Sequence, residues 1–231
     1  MSNIRQAFQN GKAFIPFITC GDPDLESTKR NVRAAVAAGA DLVELGIPFS
    51  DPTAEGPVIQ AANLRALSGG VTTDAVFQMV AELREELTTP FVFMTYANVV
   101  FSYGIEHFAA RAAEVGIDGI ILPDVPFEEK EEFAPAFRAA GIDFISMIAP
   151  TSMARIREIA AAAEGFLYVV SSLGVTGVRR EINTDLSGML ASVRQANPSL
   201  PAAIGFGIST PAQAQRMAAV ADGVIVGSAI V

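Results

Sequence analysis

Short runs of β-branched and aromatic residues alternate with longer, Ala-rich stretches of helical spacing along nearly the whole chain, which is how repeated βα units look in a sequence. The first such run, residues 13–19, ends in "CGDPD", where Asp22 can cap the following helix and Pro23 can occupy its first turn. That helix places Val32, Ala35 and Val36 on one face and ends at Gly39 in the position that favours glycine. Further strands are expected at 41–45, 91–96, 119–122, 143–148, 166–170, 202–205 and 223–226, eight in all. Helical stretches at 58–67, 73–87, 105–115, 128–140, 153–163, 186–196 and 211–220 fall between them. The turns "AAGAD", "EVGID" and "AAGID" recur between a helix and the next strand, as a repeated unit requires. Eight units in a chain of 231 residues favour a closed (β/α)8 barrel, a TIM barrel, over an open doubly wound sheet, which stays the structural alternative. One domain spanning 1–231 is expected, and its final outer helix is expected to be missing, because Val231 follows directly on the eighth strand.

Composition narrows the function classes. Hydrophobic residues make up 51% and charged residues 18%, yet no run approaches the ~18 apolar residues of a membrane span, so a soluble globular protein is expected. The start, "MSNIRQAFQNGKAF", lacks an apolar core followed by a small-residue cleavage site, and Cys20 is the single cysteine, so the cytoplasm is the expected compartment. A net charge of −9 argues against a nucleic-acid partner.

In a barrel of this kind the chemistry sits at the C-terminal ends of the strands. There "DLVEL" holds Glu44 in an apolar run, followed by a loop that carries Asp51 and Glu55. An apolar setting raises a glutamate's pKa towards neutrality, where it can exchange protons. Taken alone, Glu44 reads equally well as a buried acid paired for structural reasons. Other chemistries lack their residues. Lys12, Lys29 and Lys130 all lie off the strand ends, which leaves no Schiff-base lysine, and His107 is the single histidine, which leaves neither a zinc site nor a Ser-His-Asp triad. Acid–base chemistry by carboxylates remains.

The glycine loops are the second clue. "GFGIS" ends the seventh strand and "VGSAI" the eighth, where such barrels often hold phosphate on backbone N–H groups. Gly207 and Gly227 would let the chain approach the anion and Ser228 would add a hydroxyl, whereas the plain reading is two tight turns. The stretch "SSLGVTGVRREI", 171–182, reads either as a mobile lid or as a surface loop.

In order along residues 13–231, "FIPFITCGDPD", "VELGIPFSDPTAEGPVIQAAN", "YANVVF", "LPDVP", "SSLGVTG", "GFGIS" and "VGSAIV" resemble the motifs of the tryptophan synthase alpha subunit family. The string "ELGIPFSDP" is the most specific of them. The resemblance implies retro-aldol cleavage of indole-3-glycerol phosphate to indole and glyceraldehyde 3-phosphate, with indole passed to a beta subunit. It implies that Glu44 shuttles protons with no metal or cofactor required, and that Phe17, Tyr96 and Ile121 border the indole, with Tyr168 near the reacting side chain. It places Gly177, Gly207, Gly227 and Ser228 at the phosphate, Thr176 on the closing lid, and Pro48, Asp51, Pro52, Asn98 and Asp124 near the beta-subunit contact. The chain departs from the family in carrying Glu55 where aspartate is usual, and in stopping about one long helix early. Two further functions stay open, a weakly catalytic activator of the beta subunit and a lyase that releases free indole alone.

Overall fold

The computed structural model describes residues 3–171 and 185–231. Its parallel strands are β1 (Ala13–Thr19), β2 (Val43–Gly46), β3 (Phe91–Met94), β4 (Gly119–Ile121), β5 (Asp143–Phe144), β6 (Met147–Ile148), β7 (Leu167–Val170), β8 (Ala202–Gly205) and β9 (Gly223–Val226), in the order β5-β4-β3-β2-β1-β9-β8-β7-β6. The expected strand 143–148 is thus broken in two, and the break has a reason. Its first half pairs with β4 and its second with β7, so the segment changes partners across residues 145–146. Ile145 N–H donates to Ile120 O and Tyr168 N–H to Ser146 O, so the same two residues carry the ladder across the break and curl the sheet into a TIM barrel of eight strand positions.

Helices α1 (Leu25–Ala37), α2 (Pro57–Ser68), α3 (Thr73–Arg84), α4 (Ala97–Tyr103), α5 (Ile105–Glu114), α6 (Ala134–Ala139), α7 (Met153–Ala161), α8 (Leu186–Ala196) and α9 (Pro211–Val220) form the outer layer. Asp24, not Asp22, caps α1. Its extended backbone lets Oδ1 accept from Ser27 N–H at 2.6 Å, while Asp22 accepts two bonds from Arg65. Gly39, at φ +97, lies just past the α1 C-terminus as expected. The single helix expected at 128–140 is a 3-10 segment, Phe127–Glu132, followed by α6, because Pro135 has no N–H and fits only a first helical turn.

Alternation along the strands sorts the core into two layers. Ile15, Phe17, Val92, Ile121, Tyr168, Ala203 and Ile225 fill the interior, while Ile18, Val43, Phe91, Ile120, Phe144 and Ile148 face the helices. Two strand glycines make room for the largest interior rings. A Cβ on Gly46 would lie 2.4 Å from Phe17, and one on Gly205 would lie 2.4 Å from the Tyr168 hydroxyl.

Candidate functional site

One cavity opens among the strand C-termini, and it gathers Phe17, Glu44, Glu55, Tyr168, Gly207, Gly227 and Ser228. Glu44 comes from β2 and pairs in register with Phe17 of β1, so both side chains project into the same interior. Tyr96 and Ile121 do not line the cavity. Ile121 is packed in the interior beside it, and Tyr96 stands behind Glu55, donating to its carboxylate. Thr176, Gly177 and the 171–182 lid reading fall outside the described residues, apart from Ser171, whose hydroxyl donates to Phe206 O.

The carboxyls are set for proton exchange. Glu44 is 1% exposed, and its Oε2 meets no hydrogen-bond partner among the described residues. Burial, then the charge of Glu55, pushes its pKa up to about 8. Glu55 is 5% exposed and burial lifts it to about 7, opposed by hydrogen bonds from Asn63 and Tyr96 that favour the ionised form. Asn63 Nδ2 donates to Glu55 Oε2 at 2.6 Å, and Gln60 Nε2 donates to the Glu55 carbonyl at 2.7 Å. Both amides come from the first two turns of α2, so that helix aims Glu55 at Glu44. The Tyr168 hydroxyl is driven well above its ordinary pKa by burial and by Glu44, and it stays a neutral donor.

The opposite wall is made of backbone from the two glycine loops. The backbone N–H groups of Gly207, Ile208, Gly227 and Ser228 donate to no other described backbone group, and the buried Ser228 hydroxyl has no partner among the described residues. Gly207 sits at φ +77, and beside it Phe206 holds φ +74, a left-handed conformation that costs a non-glycine residue ~1–2 kcal/mol. Strain of this kind gathers where function fixes the backbone. The lysines sit elsewhere: Lys12 donates to Ala221 O, Lys29 pairs with Glu26 and Glu82, and Lys130 is outside the barrel wall. His107 stacks on Tyr103 at the surface.

The profile of the tryptophan synthase alpha chain family matches residues 2–231. The chain belongs to this family. The tryptophan synthase alpha chain of Lacticaseibacillus casei is 52% identical over 100% of this chain and 86% of its own length. Among solved structures, Mycobacterium tuberculosis tryptophan synthase superimposes with a TM-score of 0.90 at 33% identity, covering 99% of this chain and 89% of that one. The tryptophan synthase a2b2 complex of Pyrococcus furiosus gives 0.83 at 37% identity, covering 94% and 88%. Within this alpha-chain frame, sequence reasoning missed Asn63, which orients Glu55, and Gly46 and Gly205, which seat Phe17 and Tyr168. Asn63 lies eight residues from Glu55, so the two meet only once the loop folds back on α2. No spacing rule exposes that contact.

Proposed function

We propose that the chain cleaves indole-3-glycerol phosphate to indole and glyceraldehyde 3-phosphate in tryptophan biosynthesis, working with a beta subunit in an alpha2beta2 assembly. The observation that carries this reading is the buried Glu44, its pKa raised to about 8 by burial and by Glu55, whose Oε2 has no partner among the described residues and which shares one cavity with Glu55, Gly207, Gly227 and Ser228. Glu44 gives its proton to indole C3. Glu55 accepts the indole N–H and stabilises the positive charge that C3 protonation spreads over the ring. The bond from C3 to the glycerol carbon then breaks, its electrons returning to the ring, while the adjacent hydroxyl loses its proton to the Glu44 carboxylate and becomes the aldehyde. Phe17 and Tyr168 flank the reacting atoms. Gly207, Gly227 and Ser228 hold the phosphate with neutral donors, which suits a chain of net charge −9. Thr176 and Gly177 join the site on family resemblance alone, and so do Tyr96 and Ile121 as borders of the indole.

The cavity volume is about 30 Å³, room for about one water, so substrate binding requires the rim to open. On the side that would meet the partner, Asp124 accepts from Ala97 N–H and caps α4, whose Phe101 is 63% exposed. The unit of activity is one domain, 1–231. A cytoplasmic location belongs to the same proposal, with Cys20 free and buried, and among the described residues no helix is long and apolar enough to cross a membrane.

Assaying cleavage with and without a beta subunit tests the function. Indole release that rises when the partner is added is expected. Equal release in both conditions would make the chain a stand-alone lyase, and release in neither would leave it an activator. Because Glu55 must be ionised and Glu44 protonated, kcat/KM should follow a narrow bell between about pH 7 and about pH 8, with apparent values that belong to the pair. A flat profile from pH 6 to pH 9 would contradict these roles. Gly207→Val forces a β-branched residue into the left-handed region and places a side chain against the anion. It should raise KM about tenfold or more and abolish competition by inorganic phosphate, with a smaller effect on kcat.

A further inference from the structure

Among the described residues the well-buried cations have carboxylate partners, with one exception. Lys29 pairs with Glu26 and Glu82, and Arg84 pairs with Asp118. Lys130 is only 7% exposed, yet no carboxylate lies within ion-pair distance of it. Its ammonium has a long bond to Ala162 O at 3.4 Å and lies 4.5 Å above the Phe127 ring. A carbonyl and a ring face satisfy part of an ammonium's needs, but neither supplies the counter-charge that a cation removed from water requires. Among the described residues its other two N–H donors meet no acceptor.

Lys130 lines a second cavity of about 210 Å³, which shares no residue with the strand-end site. It lies where the chain switches partners between β5 and β6, and both core layers contribute to its apolar surface: Leu122, Phe144, Ile148 and Ile159 from the layer between sheet and helices, and Ile145 and Met147 from the interior side. Ser146, buried, and Thr151 add hydroxyls. The second cation on the wall, Arg155, is already engaged on both arms by Glu128, and no carboxylate lines the space. A mostly apolar hollow with a few convergent polar groups is the usual form of a small-molecule site.

We propose that this cavity binds a small organic monocarboxylate, with its carboxylate on Lys130 and its apolar body against Phe144, Ile148 and Ile159. One uncompensated positive charge calls for one negative charge, and a phosphate dianion would need a second cation that Arg155 is not free to supply. The volume exceeds the roughly 150 Å³ of an apolar cavity that admits benzene, so an aromatic or short branched body fits.

Titrating the full chain with benzoate, followed by amide chemical shifts, tests this, with benzyl alcohol as the uncharged body of the same size. Benzoate should saturate, with shifts clustered at residues 144–151 and on α7, and benzyl alcohol should bind at least about tenfold more weakly. Lys130→Met should remove that preference. Should this variant fail to fold, Val125→Trp, which fills the cavity from a half-buried position on its wall, should block benzoate while Lys130 stays in place. Equal affinity for benzoate and the alcohol, shifts centred on Glu44 and Tyr168, undiminished benzoate binding by either variant, or no saturation would each overturn the proposal.

Discussion

Glu44→Gln is expected to abolish most cleavage while making the folded chain more stable in alkali. The amide can neither deliver the proton to indole C3 nor take one from the glycerol hydroxyl, and groups in such roles contribute about 10²–10⁴-fold. The stability effect follows from burial. In the fold the Glu44 pKa is raised from 4.5 to about 8. The native state therefore binds more protons than the unfolded chain between these values, and stability falls as pH rises through that window. Below about pH 4.5 both states are protonated and Glu44 costs nothing in charge, whereas above about pH 8 the full cost of holding a carboxylate in the cavity is felt. At ~1.4 kcal/mol per tenfold change in proton affinity, that cost is of order 2–5 kcal/mol once partial relaxation of the site is allowed. Glutamine does not titrate. Thermal melting of parent and variant should nearly coincide at pH 5, and the variant should melt several degrees higher at pH 9. Activity within a few-fold of the parent, or a melting difference that ignores pH, would remove Glu44 from its role.

The apolar flanks of "DLVEL" made the raised pKa of Glu44 legible before any coordinates, because strand alternation buries whatever occupies that position. Strands with compact β-branched runs and glycine borders, such as β1, β8 and β9, fall where the sequence puts them. The misses share a different cause. α4 contains "NVVF", a poor helix former on its own, and its first turn is capped by Asp124 from another loop, so tertiary contact overrides propensity there. The broken fifth strand likewise depends on which neighbours it finds, since residues 143–148 read as one extended run and only the exchange of β4 for β7 divides them. The two glycine loops that line the cavity are legible in the sequence, but the left-handed Phe206 between Gly205 and Gly207 is not, because bulky residues seldom adopt that conformation.

Glu55→Ala should lower cleavage about 10²–10³-fold, the usual effect of removing one group that stabilises charge in the transition state. The loss should fall mainly on kcat, since the indole N–H needs its acceptor most once C3 is protonated. Glu55→Asp keeps the charge, so it should stay within about tenfold of the parent, even though it withdraws the carboxylate by about 1 Å from Asn63. Asn63 separates positioning from chemistry. Its 2.6 Å bond holds Glu55 in place and favours the ionised form, so Asn63→Ala should raise the Glu55 pKa above about 7. The acidic limb of kcat/KM should then move upward while the alkaline limb, set by Glu44, moves little. The bell narrows from one side. A merely structural role for Asn63 would lower activity at every pH alike, and an unshifted acidic limb would show that Glu55 is not the group whose ionisation limits the reaction.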